Sequence, residues 1–387
     1  MHDLIKNFSF ELPTKIKYDI GIMADLKEEL HNINAKKVFI VTDPGIKEAG
    51  ILDRPLTILE NENIQYQVYS EVEANPKDYN VEKGAENASN FNPDALIAIG
   101  GGSPIDCAKA IGVLLAHDSN NINNYSGKDS VQNPIPPLIT IPTTAGTGSE
   151  ITFSSVITDT KNNYKMTVKS PLIAPEVALV DPELTVTMPQ SVTASTGLDA
   201  LTHAIEAYTA KTAEPISNAT ALYAIELISQ SITTAVFNGS NIRGRAGMLM
   251  GSLLAGMAFS NSDVASVHCM AEALGGMYDI PHGVCNSILL PYVMEYNLEY
   301  CTDKYAVIAR TMGESFEENE KGAQKAVEKI KNISRKINLP AFSELDIDPD
   351  NFEKLAEMSA NNISTESNPR DMTKSDYLKI FKNAYND

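Results

Sequence analysis

The hydrophobic pattern of this 387-residue chain changes character near Met188-Pro189, and this change constrains the fold more than any other feature. Before it, apolar runs rich in β-branched residues alternate with segments of helical pattern, as in residues 94–103 and 137–144. Strands that alternate with helices at this spacing predict a parallel sheet with right-handed crossover connections. Residues 8–20 and 151–181 are predicted to add shorter strands.

Beyond Met188-Pro189 the chain has helical periodicity, with Ala, Leu, Met and Ile predominating. Residues 299–387 continue in the same way. We therefore predict an α/β domain over residues 1–187 and an all-α domain over residues 188–387. The individual helices are predicted at 191–210, 215–237, 242–260 and 262–276.

Composition excludes several classes of function. The formal charge of −19 and the pI near 4.8 disfavour nucleic acid and anionic lipid as partners. The four cysteines show no CxxC spacing, which favours free thiols in a reducing compartment. Residues 1–16 lack a signal-peptide pattern, and no run approaches the ~18 apolar residues of a membrane span. We expect a cytoplasmic protein.

Three histidines and one carboxylate predict a divalent-metal site. Asp199 and His203 stand four residues apart, so one helix face presents both. His268 lies in a helical segment that we expect to break at Gly275-Gly276, and His282 follows on a Pro-His-Gly turn. This ligand set suits Fe(II), with Zn(II) as the alternative. The competing interpretation is that these are ordinary polar residues on packed helices.

Two loops predict a nucleotide site. Gly100-Gly101-Gly102-Ser103 joins a strand to a helix, where small residues and helix N–H groups accommodate a phosphate. The alternative is a tight turn with Ser103 as the helix N-cap, since the GxGxxG pattern is absent. Residues 142–150, dense in threonine and glycine, follow another strand, and two such loops border the crevice in which open α/β sheets bind nucleotides.

Asp43, after an earlier strand, is a candidate to bind an adenosine ribose. Its charge would repel a 2′-phosphate, which favours NAD(H) over NADP(H). Its other interpretation is that of a turn residue in Asp-Pro-Gly.

Four motifs together make the chain resemble the iron-dependent (group III) alcohol dehydrogenase family: GGGSPIDCAKA, IPTTAGTGSE, GLDALTHAIEAY and HCMAEALGGMYDIPHGVCNSILLP. The resemblance implies the dehydroquinate-synthase-like architecture, with an N-terminal Rossmann-like dinucleotide-binding domain and a C-terminal helical domain. It implies that a metal is held by Asp199, His203, His268 and His282. It implies that NAD(H) is bound by Asp43, Asn75, Gly101, Gly102, Ser103, Asp106, Thr143, Thr144, Thr147, Ser149, Thr152 and Lys165. Phe259 and Ser154 are implied to line the substrate pocket, and the alternative interpretation of both is that they pack in the core.

One position departs from the resemblance. Many members of the family carry a second histidine four residues after the third ligand, and here that position is Glu272. We expect Glu272 to orient His268, to relay a proton or to bind a cationic or hydroxyl group of the substrate.

The expected activity is that of a metal-dependent NAD(H) alcohol dehydrogenase or aldehyde reductase, with a small primary alcohol, diol or aldehyde as substrate. The alternative is a lyase or cyclase on the same scaffold, with tightly bound NAD and internal redox. Such an enzyme needs basic residues around an anionic substrate, and segments 191–210 and 255–290 contain no Lys or Arg. The many apolar helical segments lead us to expect a homodimer or larger homo-oligomer.

Overall fold

The structure, a computed structural model, describes residues 7–387. The expectation that residues 1–16 contain no targeting segment concerns residues 1–6 as well, and those lie outside the described part. Nine strands are found within the described residues: β1 (Lys15–Tyr18), β2 (Lys37–Val41), β3 (Gln65–Tyr69), β4 (Ala95–Gly100), β5 (Gly127–Lys128), β6 (Leu138–Pro142), β7 (Ser154–Asp159), β8 (Tyr164–Lys169) and β9 (Val177–Val180).

The main sheet is parallel throughout, as the alternating pattern predicts. Its order is β1-β9-β6-β4-β2-β3. β4 (ALIAIG) is buried along its whole length, as expected for a central parallel strand covered on both faces. Separate apolar clusters cover the two faces, one around Phe39 and Leu96 and the other around Val38 and Ile97.

The direction in which successive strands are added to the sheet reverses at β2. β3 pairs with one edge of β2, and β4 pairs with the other, with Val41 opposite Ala98. The carboxyl ends of β2 and β4 therefore flank a topological switch point, where open α/β sheets form a binding crevice.

A second, smaller sheet has the order β5-β8-β7, and β7 and β8 pair antiparallel. The prediction of strands over residues 8–20 is largely wrong, because only Lys15–Tyr18 pairs, alongside β9. The residues before them have no strand partner among the described residues, and Pro13, which cannot donate to a ladder, lies there.

Thirteen α-helices lie within residues 7–387. They are α1 (Leu26–Asn32), α2 (Pro44–Glu48), α3 (Asp53–Asn61), α4 (Asp78–Phe91), α5 (Gly102–Ala116), α6 (Gln190–Thr209), α7 (Pro215–Phe237), α8 (Ile242–Ser262), α9 (Ser266–Tyr278), α10 (His282–Thr311), α11 (Asn319–Lys336), α12 (Phe352–Ala360) and α13 (Lys374–Asn386). None of the helices in this described part is long and apolar enough to cross a membrane.

Two local expectations are wrong. α9 continues through Gly275 and Gly276 and ends at Tyr278, so the glycines do not break it. His282 is the first residue of α10 rather than part of a turn, with Pro281 before it at the N-cap position. Buried packing of α9 outweighs the low helix propensity of two glycines.

The chain forms two compact units. The α/β unit comprises Leu12–Thr144 and Gly148–Met188. The helical unit comprises Pro189–Asp387, Ala145–Thr147 and, of the N-terminal segment, the described residues 7–11.

Candidate active site

The four predicted metal ligands converge in the helical unit. Asp199, His203, His268 and His282 each offer one donor atom, and these atoms all lie within 4.8 Å of one another. Asp199 and His203 come from α6, one turn apart, whereas His268 comes from α9 and His282 begins α10. The first three side chains are buried, and His282 is partly buried.

The unpartnered ring nitrogens and the neutral His203 imidazole of this cluster fit a divalent cation. His203 Nδ1 and His268 Nε2 are buried and have no hydrogen-bond partner, which is costly unless another group satisfies them. Burial, with the neighbouring His268, holds the pKa of His203 well below its usual range, so its imidazole is neutral and able to coordinate. One carboxylate and three imidazoles are donors suited to Fe(II) or Zn(II).

Glu206 fixes the orientation of His268. The His268 Nδ1–H donates to Glu206 Oε2 at 2.6 Å, which leaves Nε2 for a metal. The same carboxylate accepts from the backbone N–H groups of Ala265 at 2.9 Å and Val267 at 2.6 Å. Ala265, at the N-cap position of α9, supplies no side-chain cap of its own, so Glu206 caps this helix from α6.

Asn286 and Gly283 place the remaining ligands. Asn286 Nδ2 donates to Asp199 Oδ1 at 2.7 Å and lies 3.1 Å from His282 Nε2. α6 and α10 approach so closely that a Cβ atom on Gly283 would lie 2.9 Å from the Ser195 carbonyl oxygen and 3.4 Å from Asp199 Cβ. Only glycine fits at this contact without displacing a helix.

Phe259, predicted to line the substrate pocket, lies beside the metal cluster. Its ring stacks on His203, with centroids 4.3 Å apart and planes 18° apart. It therefore contributes an apolar, flat surface directly next to a ligand.

In the α/β unit, the glycine loop and Asp43 meet at the switch point of the sheet. Gly100 has φ of 147°, and a Cβ atom there would lie 2.7 Å from Pro104 and 3.3 Å from Asp43 Oδ2. Asp43 caps α2 by accepting from the Ile46 N–H at 2.9 Å, and burial raises its pKa from the usual value. Thr143 N–H donates to the Gly100 carbonyl at 3.0 Å and so joins the two predicted loops.

The start of α5 is the loop in which the sequence predicts a phosphate to bind. α5 begins at Gly102, with Gly101 at the N-cap position, so Ser103 lies inside the first turn and is not the N-cap. A Cβ atom on Gly101 would lie 3.0 Å from Thr144 Oγ1, so any side chain there would require the Thr144 side chain to shift. The buried Thr143 hydroxyl has no hydrogen-bond partner, and the phosphates or ribose of a dinucleotide would satisfy it.

Lys109 organises the second loop from within the core. This fully buried lysine donates to the Ser149 carbonyl at 2.7 Å, to Thr152 Oγ1 at 3.0 Å and to the Ser154 carbonyl at 2.8 Å. Burial lowers its pKa to about 8. Burial also raises the pKa of the neighbouring Glu150 to about 7.

Several other predicted cofactor residues also make polar contacts in the α/β unit. Lys165 Nζ donates to Asn75 Oδ1 at 2.7 Å, and Asn75 adopts the left-handed region, with φ of 51°. Asp106 accepts from the Val156 N–H at 3.0 Å, and burial raises the pKa of its carboxyl. Thr147 lies in the segment that belongs to the helical unit. Ser154, predicted to contact substrate, lies at the start of β7 beside Lys109, in the α/β unit.

Comparison with known proteins identifies the family. Residues 13–182 match the model described as "Iron-containing alcohol dehydrogenase", and residues 193–385 match "Fe-containing alcohol dehydrogenase family, C-terminal". The chain belongs to the iron-containing alcohol dehydrogenase family. It is accordingly an oxidoreductase that acts on CH–OH groups. The family uses a metal ion and NAD(H).

Several iron-containing alcohol dehydrogenases are similar over nearly the full chain. A choline dehydrogenase of Bacillus subtilis is 39% identical over 98% of this chain and 96% of its own length. An NAD-dependent methanol dehydrogenase of Bacillus methanolicus is 37% identical over 97% of this chain and 99% of its own. The crystal structure of a 1,3-propanediol oxidoreductase aligns with a TM-score of 0.95 and 38% identity, over 98% of this chain and 100% of that one.

Three residues of the site were missed by sequence reasoning. Glu206 stands three residues after His203, and Asn286 four residues after His282, so helical spacing from a ligand could have indicated both. Lys109 stands at the same three-residue spacing from Asp106 in the first glycine motif. Each has the appearance of an ordinary polar helix residue until its burial is known.

Glu272 lies one turn after His268 on α9 and is partly buried. Its Oε2 accepts from the Asn362 side-chain amide at 2.5 Å. Asn362 lies just beyond α12 and is itself buried, so this bond fixes the carboxylate relative to α9.

Proposed function

We propose that this protein is a metal-dependent, NAD(H)-linked dehydrogenase of small alcohols that also reduces the corresponding aldehydes. The observation that carries the proposal is the convergence of Asp199, His203, His268 and His282, whose donor atoms lie within 4.8 Å of one another. We propose Fe(II) as the metal, with Zn(II) able to occupy the same ligands.

When bound, the metal supplies Lewis acidity toward an alcohol or carbonyl oxygen, and the dinucleotide supplies a hydride acceptor or donor. The chain's own residues hold both groups in place. Glu206 holds His268 in one tautomer through its Nδ1–H, and Asn286 orients the Asp199 carboxylate. Phe259 covers His203 and keeps water from that side of the ligand.

We propose residues 1–187 as the dinucleotide-binding domain and residues 188–387 as the metal-binding domain. The contacts of Asp43, Gly100, Gly101 and Thr144 support a dinucleotide at the carboxyl ends of β2 and β4. The Asp43 carboxylate favours NAD(H), since it accepts from ribose hydroxyls and repels a 2′-phosphate. The NAD dependence named for the methanol dehydrogenase relative supports the same choice.

For the substrate, we propose a short primary alcohol, diol or aldehyde. The relatives' names include methanol, 1,3-propanediol and choline, all small hydroxyl compounds. The helices that carry the ligands contribute no Lys or Arg within segments 191–210 and 255–290, which disfavours an anionic substrate.

We further propose a cytoplasmic homodimer or larger homo-oligomer. All four cysteines are buried and unbridged, in keeping with a reducing compartment. Large apolar side chains such as Tyr223, Phe237 and Tyr300 are more than half exposed, and subunit contacts would cover such groups. Sedimentation equilibrium that gives the mass of a single chain would contradict this part of the proposal.

The activity is tested by following NADH absorbance anaerobically after reconstitution with Fe(II), across short aldehydes, with NADPH and chelated enzyme in parallel. We expect turnover that needs the metal and prefers NADH. The His268→Ala variant should lose both bound metal and turnover, at least about a hundredfold, since a ligand is removed. His31→Ala, which replaces an exposed histidine, is the matched control and should retain both. Undiminished turnover by metal-free His268→Ala would contradict the proposal.

A further inference from the structure

We propose that Asp263 is a positioning residue, which fixes the connection between α8 and α9 and thereby places His268 among the metal ligands. The inference rests on the proposed function, because it assigns a role toward the same metal site. It starts from the backbone conformation of Asp263 and from the two rings that this connection brings to His203.

The connection between α8 and α9 joins two helices that both contact His203. Phe259, near the end of α8, stacks on the His203 ring with 4.3 Å between centroids. The His268 ring on α9 lies 4.4 Å from the same ring. Residues 263–265 are the whole link between the two helices. Because so short a link fixes the relative orientation of the helices it joins, a change in its path would move His268 relative to His203.

Asp263 has a backbone conformation that favours glycine. Its φ of 77° and ψ of 168° combine positive φ with an extended ψ, a region almost reserved for glycine. The other non-glycine residues with positive φ among residues 7–387 have φ between 48° and 59°, near the ordinary left-handed region. A side chain in the conformation of Asp263 costs free energy, and the conformation persists only where the surroundings enforce it. The contacts that hold Asp263 therefore also direct the start of α9.

The Asp263 carboxylate is bound by two serines of the segment that follows α12. Its Oδ1 accepts from Ser364 Oγ at 3.2 Å and from the Val264 N–H at 3.0 Å, and its Oδ2 accepts from Ser367 Oγ at 3.0 Å. Both serines are 6% exposed, so these bonds are shielded from water. The Asp263 N–H donates to the Phe259 carbonyl at 2.7 Å. Asp263 thus joins the end of α8 to the two serines at the point where the chain turns.

The first residue of α9 is held by the same segment. Ser266 Oγ lies 3.0 Å from the Tyr377 hydroxyl, which lies 3.1 Å from Thr365 Oγ1. Thr365 stands between the two serines that bind Asp263, and Tyr377 of α13 is fully buried. Glu206 of α6 adds the two backbone contacts described above. The start of α9 is therefore held by contacts from α6, from α13 and from the segment before α13.

Three variants separate the backbone conformation from the side-chain contacts. Asp263→Gly permits the same φ without strain but removes the carboxylate. The double variant Ser364→Ala with Ser367→Ala keeps Asp263 and removes two of its donors. Asp263→Asn keeps the shape, is compatible with positive φ and retains one acceptor oxygen. Asp118→Gly is the matched control, because Asp118 is an exposed aspartate of the α/β unit with φ of 48°.

The test measures Zn(II) affinity by competition with a chelator, and the visible spectrum of bound Co(II) as a report on coordination geometry. In Asp263→Gly and in the serine double variant, Zn(II) affinity should fall roughly tenfold, as for residues that support a metal ligand. The Co(II) bands should shift in both, because a displaced His268 alters the geometry. Asp263→Asn should restore the affinity to within about threefold of wild type. Asp118→Gly should match wild type.

The combination of Asp263→Gly with both serine substitutions tests whether these groups act as one unit. If they do, the combined variant should lose no more affinity than Asp263→Gly alone, whereas independent groups give additive losses. Each variant is measured where denaturant unfolding shows that its metal-free form is fully folded. A general loss of stability then leaves the Zn(II) affinity and the Co(II) spectrum unchanged.

Three results would overturn the inference: wild-type affinity and spectra in Asp263→Gly, additive losses in the combined variant, or a loss in Asp263→Asn as large as that in Asp263→Gly. The last result would mean that charge rather than placement controls the affinity. Metal binding is measured without turnover, so a wild type that binds Zn(II) but shows no metal-dependent turnover would refute the proposed function alone. A wild type with metal-dependent turnover, together with unaltered metal binding in Asp263→Gly, would refute this inference alone.

Discussion

Replacing Glu206 with glutamine should weaken metal binding without touching any of the four ligands. Glu206 accepts three hydrogen bonds, from His268 Nδ1 and from the backbone N–H groups of Ala265 and Val267. Oε2 serves Ala265 and His268, and Oε1 serves Val267. A glutamine has one side-chain oxygen, which can take the position of either Oε1 or Oε2. Its NH₂ group must then occupy the other position and face a donor there.

The magnitude follows from these contacts. Hydrogen bonds to a charged acceptor contribute about 1.5–3 kcal/mol each, and a buried donor left unpaired costs about 1–3 kcal/mol. Loss of one contact and weakening of the other two should lower the free energy of unfolding of the metal-free protein by about 2–3 kcal/mol. Metal affinity should fall by about ten- to a hundredfold, since the partner of a ligating histidine sets its tautomer and basicity.

The assay is competition for Fe(II) or Zn(II) against a chelator of known affinity, alongside denaturant unfolding of the metal-free protein. Glu226→Gln, at the exposed surface, is the control and should change neither. Metal affinity within about twofold of wild type, together with lower stability, would show that Glu206 only caps α9. No change in either quantity would refute the reasoning altogether.

Three further predictions concern the α/β unit. Asp43→Ser keeps a helix-capping side chain but removes the charge, so in steady-state assays kcat/KM for NADH should fall about tenfold and kcat/KM for NADPH should rise. The control, Asp348→Ser at another helix N-cap, should change neither value. Burial raises the pKa of Glu150 to about 7, so above that pH the buried charge lowers the free energy of unfolding by about 3 kcal/mol. In urea unfolding, Glu150→Gln should therefore be more stable than wild type by the full amount at pH 8, and the difference should vanish below about pH 4.5. A difference that does not depend on pH would contradict this. Lys109→Met should lower the free energy of unfolding by about 2–4 kcal/mol because three acceptors lose their donor, and a variant as stable as wild type would show that water replaces it.

The parts of the fold that sequence predicts well are those dominated by one physical signal. β4 is a continuous apolar run, and α7 repeats apolar residues at helical spacing with no Gly or Pro after Pro215, so period and composition suffice for both. The strands predicted over residues 8–20 fail because strand formation depends on a partner, and only Lys15–Tyr18 finds one, in β9.

In the candidate site, too, features set by local spacing are predictable from sequence, and features set by tertiary packing are not. The spacing of Asp199 and His203 is local, so the helical period by itself predicts that both lie on one face of α6. The contact of Asp43 with Gly100 depends on the register of β2 against β4, and the role of Glu206 depends on how α6 meets α9. Neither arrangement is written in a short stretch of sequence, because both arise from tertiary packing.

The close contact at Gly283 has a consequence for which ions the cluster can hold. α6 and α10 touch there at a distance that leaves no room for a methyl group, so a side chain at this position would push α10, which begins with His282, away from α6, which carries Asp199. A bulkier residue would widen the ligand cage by a few tenths of an ångström, which is about the difference between the bond lengths of zinc-sized ions and those of calcium. The diameter of the cage, and with it discrimination among ions by size, is thus set by a residue that binds no ion at all.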